Sequence, residues 1–227
     1  MQAARILSAA IVAAIPWSAP ASPASPTERT DCPKFKKDES PKAVLKTSTE
    51  RVKEIIRRKA ETQAAMDKRD VDLKNEVNAF IDFDELGIRA LGSHWDGLDE
   101  QKRKKFLSTL RDLIETAYTT RIKQHLNFTV EYTKAEVDCD KAFVATVAKA
   151  KRGKLKTDYR LHWKNGRWYV WDLIIEDTSL VRQYKTMFNK IIKRNGFDSL
   201  LNRMLNKKEE ILKAKKLKKE NAGAKQP

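Results

Sequence analysis

The chain has 227 residues, of which 41% are hydrophobic and 34% charged, and its formal net charge is +16. This length and apolar fraction are typical of one globular domain with tails. The chain has enough apolar residues to form a sizeable core. Gly and Pro number only seven each, so we expect few loops and long helices.

The first 21 residues have the pattern of a secretory signal peptide. Arg5 supplies the positive charge, Ile6 to Ile15 form an apolar stretch, and Ala19-Pro20-Ala21 is an A-x-A cleavage site. The apolar stretch is too short to span a bilayer, which takes about 20 residues, and no other segment is apolar enough. We therefore expect an exported, soluble mature protein, the alternative being a disordered or soluble amphipathic N-terminus.

Export makes Cys32 and Cys139 candidates for a disulfide, with two unpaired thiols as the alternative. The bridge would close a loop of about 100 residues and contribute about 4–5 kcal/mol on the chain-entropy account. Neither cysteine has a Cys or His neighbour at metal-ligand spacing, so we expect no zinc site. Residues 22–40 form a Pro- and charge-rich leader, which we expect to be flexible unless Cys32 holds it.

Helical spacing dominates the first half of the chain. It predicts a helix over residues 41–65 and a second over residues 71–80. Asp82 is the predicted N-cap of a short helix, Phe83 to Leu91. A long helix then starts at Asp99, and its apolar stripe is more than 100° wide, which indicates deep packing. The stripe consists of Phe106, Leu107, Leu110, Leu113, Ile114, Ala117, Tyr118 and Ile122.

From Asn127 the apolar period changes to two, which is typical of strands. Turn signals at 138–141, at 151–154 and at Asn165-Gly166 separate four predicted strands. Short turns favour an antiparallel meander. Along the chain, helices precede the strands and helices follow them. This order predicts an α+β fold, a single domain over residues 41–206 with a twisted four-stranded sheet packed against flanking helices.

Two further helices follow the sheet. Thr178 or Ser179 is the predicted N-cap of the first, which Asn195-Gly196 ends. The second begins near Asp198 and becomes a basic tail, residues 207–227, with little to bury.

The last strand, residues 168–175, is apolar on both faces except for Asp172. Strict alternation places Tyr169, Trp171, Leu173 and Ile175 on one face, and Trp168, Val170, Asp172 and Ile174 on the other. Both faces therefore need a cover, which helices, strong sheet curvature or an apolar ligand would provide. A thick core without ligand explains the composition as well.

The sequence contains no G-x-S-x-G or H-E-x-x-H motif and no phosphate-cradling Gly loop. Its three histidines lie in three different elements without metal-ligand spacing: His94, His125 and His162. Asp158 and Glu176 are candidates for a general base near a strand end. A cone-shaped α+β enzyme with such a base in an apolar pocket is therefore the alternative hypothesis.

The net charge would permit nucleic-acid binding, but Lys and Arg are spread along every element and many have an acidic partner at helical spacing. Aromatic residues lie mainly at buried strand positions and form no exposed stacking platform. We therefore expect no nucleic-acid partner. A basic exported protein more naturally meets anionic lipid head groups or an acidic protein face.

Four stretches match the order and spacing of a known family. They are FIDFDELGIRALGSHWDGLDEQKRKKF, TAY at 116–118, DYRLHWKNGRWYVWDLIIEDTSLVRQY and IIKRNGFDSLLNRM. Over about residues 42–206 the chain thereby resembles the MlaC family, also called toluene-tolerance auxiliary proteins, which are periplasmic phospholipid carriers. Cys32, Cys139 and the lysine-rich tail depart from the family pattern.

The resemblance implies that sheet and helices enclose an apolar cavity that holds acyl chains, with the head group near its mouth. It implies a monomeric, non-enzymatic lipid-transport protein in the periplasm, with phospholipid as cargo and no cofactor. Its partners would be an inner-membrane ABC lipid transporter complex and an outer-membrane lipoprotein/porin complex, a system that maintains outer-membrane lipid asymmetry.

The residues expected to line this cavity also fit an ordinary core. They are Leu91, Trp95, Leu110, Ile114, Tyr118, Tyr159, Leu161, Trp171, Leu173, Ile175, Val181, Tyr184 and Phe188. Arg160 and Arg182 are expected either near head-group phosphates or in ion pairs with Asp172 or Glu176, and the ion pairs are favoured.

Overall fold

A computed structural model describes residues 32–122, 128–150 and 153–223, with side chains for all of these except 118–122, 215 and 218–223. Five α-helices and a five-stranded antiparallel sheet make up this part of the chain, which confirms the predicted α+β fold. The predicted signal peptide and residues 22–31 of the leader lie outside the described residues, as does His125.

Helices α1 (Pro41–Arg57) and α2 (Gln63–Phe80) are separate. Thr62 begins α2, since its hydroxyl accepts a hydrogen bond from the amide of Ala65 at 3.2 Å. The predicted helix over 41–65 and the predicted start of the next one at Val71 were therefore wrong. The N-cap at Thr62 starts α2 earlier than the apolar spacing indicated.

Helices α3 (Phe83–Leu91) and α4 (Glu100–Ile122) begin where the sequence predicts. The predicted N-cap Asp82 accepts a hydrogen bond from the amide three residues on at 2.9 Å, and Asp99 does the same for α4 at 2.7 Å. These carboxylates also complement the positive end of the helix dipole.

The sheet is a meander in which neighbouring strands are consecutive in the chain. Its strands are β1 (Phe128–Asp138), β2 (Lys141–Ala150), β3 (Gly153–Lys164), β4 (Arg167–Ile175) and β5 (Thr178–Ser179). The predicted meander is confirmed, with one strand more than the four expected. A two-residue strand such as β5 shows no alternation that a sequence pattern could reveal.

Two tight turns join the last three strands. Asn165 and Gly166 have φ of 51° and 79°, as the predicted two-residue hairpin requires. Glu176 and Asp177 also have positive φ, 45° and 61°, and they join β4 to β5. The second turn lacks glycine, so sequence pattern alone did not predict it.

A β-bulge in β4 changes which of its side chains share a face. Leu161 of β3 pairs with Val170, and Tyr159 pairs with Leu173, so Trp171 is the extra residue. Because Leu161 and Tyr159 are two apart and share a face, Val170 and Leu173 also share one. The strict alternation predicted from the sequence, with Val170 opposite to Leu173, was therefore wrong.

Helix α5 spans Leu180–Gly223, with a break at Gly196, whose φ is 77°. Ser179 is its N-cap, since the hydroxyl accepts a hydrogen bond from the amide of Arg182 at 3.0 Å. The predicted cap and the predicted end of a helix at Asn195-Gly196 are both confirmed. Beyond the break the backbone is helical through most of the predicted basic tail.

Buried hydrophobic side chains form two clusters. The helical cluster contains Val52, Ile55, Ile56, Leu73, Val77, Phe83, Leu86, Ala90, Leu91, Phe106, Leu110, Ile114, Val181, Phe188, Leu200 and Met204. The sheet cluster contains Leu45, Ala142, Val144, Leu161, Trp168 and Val170. Helix α1 contributes to both clusters and thereby joins the helices to the sheet.

A disulfide joins Cys32 to Cys139, which are 107 residues apart. Cys139 lies in the turn between β1 and β2. Close to Cys32, the ring of Phe35 packs against Trp163 at 5.6 Å and Trp168 at 5.4 Å between ring centroids. The described part of the leader is therefore held against the sheet cluster.

We expect replacement of both Cys32 and Cys139 by Ser to lower the free energy of unfolding by about 2–5 kcal/mol, because the loop is long. Denaturant unfolding of the two proteins measures the difference. Reduction of the wild-type protein should produce the same loss and leave the double variant unchanged. Equal stability of the two oxidised proteins would contradict the expectation.

Asp82 connects α3 to the sheet. Its Oδ2 accepts a hydrogen bond from Lys164 at 2.7 Å and lies 3.1 Å from His162 Nε2, and its amide donates to Val170 O at 2.8 Å. Burial by itself would raise the pKa of this carboxyl, but the bonds from His162, Lys164 and the Glu85 amide outweigh it. The pKa of Asp82 therefore lies well below its usual range. The hydrogen bond from Lys164 to Asp82 also raises the pKa of Lys164.

We expect Asp82→Asn to lower the free energy of unfolding at neutral pH by about 1–3 kcal/mol, since charge-assisted hydrogen bonds are lost. A depressed folded-state pKa contributes stability above the unfolded-state pKa of about 3.9, and this contribution is lost as the pH falls through the folded-state value. The difference between wild type and variant should therefore shrink below about pH 4.

The matched control is Asp84→Asn, because Asp84 pairs with Arg111 at 2.9 Å in a half-exposed setting. Such pairs contribute about 0–1 kcal/mol. Denaturant unfolding at several pH values checks both variants. A loss in Asp82→Asn that is no larger than the loss in Asp84→Asn would contradict the junction role.

Candidate functional site

Most of the predicted lining residues belong to, or pack against, one of the two clusters. Five of them are buried in the helical cluster: Leu91, Leu110, Ile114, Val181 and Phe188. Three others, Trp95, Trp171 and Tyr184, are partly buried and pack against it. At its α4–α5 contact the ring of Phe188 meets Phe106 edge-on, with 5.6 Å between ring centroids. Within α5 the same ring stacks on Tyr184 at 5.3 Å.

The remaining predicted lining residues belong to the sheet side. Leu161 is buried in the sheet cluster, and Tyr159 and Leu173 pack against it. Burial raises the pKa of the Tyr159 hydroxyl, and the neighbouring Tyr132 and Asp158 raise it further. Ile175 belongs to neither cluster and is 37% exposed. The side chain of Tyr118 lies outside the described part of the chain.

A cleft of about 300 Å³ lies between α2, α4 and α5. None of the predicted lining residues forms its wall. The cleft is lined by Asp70, Val71, Lys74, Asp112, Leu113, Glu115, Thr116, Lys208, Ile211 and Leu212. Its volume is at the lower limit for pockets that bind small molecules.

Apolar and charged side chains alternate around this cleft. Leu113 also packs against the helical cluster, so the cleft meets the apolar interior there. Val71 and Leu212 are exposed at its mouth. Sequence reasoning missed this site because Val71, Ile211 and Leu212 stand among charged residues and come together only through the packing of three helices.

Two ion pairs at the cleft join α2 and α5 to α4. Lys74 of α2 lies 2.6 Å from Glu115, which also accepts a hydrogen bond from Asn78 at 2.8 Å. Lys208 of α5 lies 2.5 Å from Asp112. Each outer helix is thus attached to α4 at the cleft by one lysine.

The carboxylates proposed as a general base both accept hydrogen bonds from backbone amides. Asp158 accepts one from Thr146 at 3.3 Å, and Glu176 accepts one from Lys156 at 2.8 Å. In residues 32–122, 128–150 and 153–223, no three His, Cys, Asp or Glu side chains are placed to hold a metal ion. Nor does any helix of that part have the length and apolarity needed to cross a membrane.

The family model described as "MlaC protein" matches residues 46–206, which is most of the chain.

The chain belongs to the MlaC family.

The matched relative and the matched solved structure are both distant in sequence. A curated relative, the intermembrane phospholipid transport system binding protein MlaC of Haemophilus influenzae, is 21% identical over 138 residues. That match covers 58% of this chain and 64% of the relative, so the chain spans less than two thirds of the relative's length.

A solved structure has the same fold. The phospholipid-binding protein from Ralstonia solanacearum, in complex with a phospholipid, superimposes with a TM-score of 0.69 at 20% identity. The superposition covers 76% of this chain and 99% of that chain. Since the MlaC match ends at residue 206, three cleft residues lie beyond it: Lys208, Ile211 and Leu212.

Asp172, within the MlaC match, is fully buried and joins four elements. Its Oδ2 accepts hydrogen bonds from Arg160 at 2.8 Å and from the Ser179 hydroxyl at 2.7 Å, and its Oδ1 accepts one from the Val181 amide at 3.0 Å. The sequence predicted an ion pair between an arginine and Asp172, and the structure confirms it for Arg160.

The two arginines singled out from the sequence differ in their surroundings. Arg160 forms the ion pair with Asp172, and its guanidinium lies 5.8 Å from the ring centre of Trp171. Arg89, which sequence reasoning missed, stacks on the same ring at 4.1 Å. Arg182 is exposed in the first turn of α5, and a role for it near a head group stays a prediction.

We expect Asp172→Asn to lower the free energy of unfolding by about 2–4 kcal/mol, because three donors lose their buried anionic acceptor. The control is Glu176→Gln, whose exposed side chain accepts one amide hydrogen bond, and which should cost less than about 1 kcal/mol. Thermal or denaturant unfolding measures both. Similar small losses in the two variants would show that Asp172 does not hold β4 to α5.

Proposed function

We propose that this protein is a periplasmic phospholipid carrier, which shuttles lipid between the inner- and outer-membrane components of an ABC-type lipid transport system. The MlaC match over residues 46–206 carries the proposal. The names of the Haemophilus influenzae and Ralstonia solanacearum proteins support it, since one is a phospholipid transport system binding protein and the other binds a phospholipid.

The hydrophobic effect determines what such a carrier must do. An acyl chain of about 15 methylenes costs roughly 12 kcal/mol to hold in water, at about 0.8 kcal/mol per methylene. A protein that moves it across an aqueous compartment must therefore enclose it in apolar side chains. Release at the other membrane requires that this enclosure can open.

The apolar stripe of α4 is the path that we propose for an acyl chain. Phe106, Leu110 and Ile114 are buried in the helical cluster, and Leu113 joins that cluster to the cleft. On this proposal the predicted lining residues of the helical cluster contact the chain, and the cleft is its entrance. The predicted lining on the sheet side, Leu161 and Leu173 among them, would extend the same enclosure.

The ion pair between α5 and α4 at the cleft is suited to an entrance that opens. Lys208 and Asp112 are 37% and 35% exposed, and exposed pairs of this kind contribute about 0–1 kcal/mol. Moving α5 away from α4 would cost little through this pair and would extend the cleft towards Leu113. Opening would also expose apolar surface, which an entering acyl chain would cover again.

Lipid extraction tests the function directly. We expect organic-solvent extracts of the untreated, purified protein to contain phospholipid at about one molecule per protein, as measured by mass spectrometry. A lipid-free protein that neither takes up phospholipid from vesicles nor releases it to them would refute the proposal. Turnover of a small molecule by such a lipid-free protein would favour the enzyme hypothesis.

Substitutions test the proposed path. We expect Leu113→Asp to lower phospholipid loading at least about tenfold, because a carboxylate at the entrance to an apolar path is costly to desolvate. The matched control is Leu155→Asp, at an exposed leucine of β3, which should load normally.

A third variant, Leu173→Asp, tests the lining on the sheet side, and we expect it to lower loading as well. Circular dichroism and unfolding measurements on each variant show whether it is folded. Full loading of folded Leu113→Asp would refute the entrance at the cleft. If Leu173→Asp alone lost its lipid, the site would lie against the sheet instead.

A further inference from the structure

The last 21 residues, 207–227, have an unusual charge composition. They contain eight lysines, three glutamates and no arginine. Residues 211–219 alone contain five lysines and no acidic residue. This segment follows the end of the MlaC match at residue 206, so the family fold does not account for it.

The backbone of residues 207–223, here called the C-terminal extension, is helical and continues α5. Two large hydrophobic side chains are exposed along it, Leu212 at 53% and Leu217 at 59%. Leu217 is the most exposed large hydrophobic residue in the described part of the chain, and Lys216 and Lys218 flank it in the sequence. Exposed leucines between lysines are typical of segments that lie on a membrane surface.

Lysine without arginine favours a lipid surface over a protein partner. Protein–protein interfaces are enriched in arginine and depleted in lysine, since the planar guanidinium forms directed pairs with carboxylates. An anionic bilayer attracts basic residues through its surface potential, to which Lys and Arg respond alike. Each basic residue near an anionic membrane strengthens adsorption about fivefold.

We infer that the C-terminal extension binds the surface of an anionic lipid bilayer. Its first part forms one wall of the cleft through Lys208, Ile211 and Leu212. Adsorption of the extension therefore places the mouth of the cleft beside the bilayer, where lipid would enter or leave. This placement serves lipid transfer only if the carrier proposal holds, and in that respect the inference rests on it. Adsorption to the bilayer is measured independently of lipid transfer.

Vesicle sedimentation of the full-length protein tests the inference. The vesicles contain phosphatidylglycerol and phosphatidylcholine at 1:3, or phosphatidylcholine alone. We expect binding to the anionic vesicles only, and its loss in concentrated salt, because salt screens the attraction. Equal binding to neutral vesicles would overturn the inference.

A pair of triple variants locates the contact. Lys213, Lys215 and Lys218→Gln removes three charges from the extension, and we expect binding about 100-fold weaker. Lys42, Lys46 and Lys59→Gln removes the same charge from exposed positions in and after α1, and it should bind within about twofold of wild type. Circular dichroism establishes that both variants are folded.

Two outcomes would overturn the inference. Equal weakening in both variants would show a response to net charge alone, and wild-type binding by the extension variant would show that another surface meets the bilayer or that the extension serves a protein partner. Phospholipid content of the same preparations separates the two proposals. Wild-type protein that binds anionic vesicles but never carries phospholipid would refute the carrier function and leave the inference standing.

Discussion

The buried carboxylate of Asp172 accepts hydrogen bonds from Arg160, Ser179 and the Val181 amide, and the rest of the domain depends on this arrangement. It holds β3, β4, β5 and the start of α5 at one point. A buried polar group without hydrogen-bond partners is costly, so the four elements must converge for the site to be stable. Asp82 has the matching role at α3, which it connects to β3.

The strong connections and the weak ones lie at different places in the molecule. Asp172 and Asp82 are buried and have several donors each, which joins helices firmly to the sheet. At the cleft, by contrast, one partly exposed pair, Lys208–Asp112, attaches α5 to α4. Such a domain would allow α5 to move away from α4 at the cleft while Asp172 and Asp82 keep the sheet and helices in register. That combination suits a protein that must take up a long apolar molecule and release it again.

The family match and the cleft overlap only in part. Residues 46–206 contain the helical cluster, most of the sheet cluster and the buried carboxylates of Asp82 and Asp172. The wall of the cleft formed by α5 comes from the residues that follow. On our proposals the family fold supplies the apolar interior, while the C-terminal extension brings its entrance to the membrane.

Sequence pattern alone determined the α+β class, the meander, the N-cap at Asp82 and a cap of α5 at Thr178 or Ser179, because each depends on residues near one another in the chain. Only the tertiary structure decided the face of Leu173 and the position of the cleft. A single extra residue at Trp171 reverses strand alternation, and no local pattern reveals it. The cleft needs α2, α4 and α5 side by side, so its apolar residues, each isolated among charges in the sequence, become a surface only after folding.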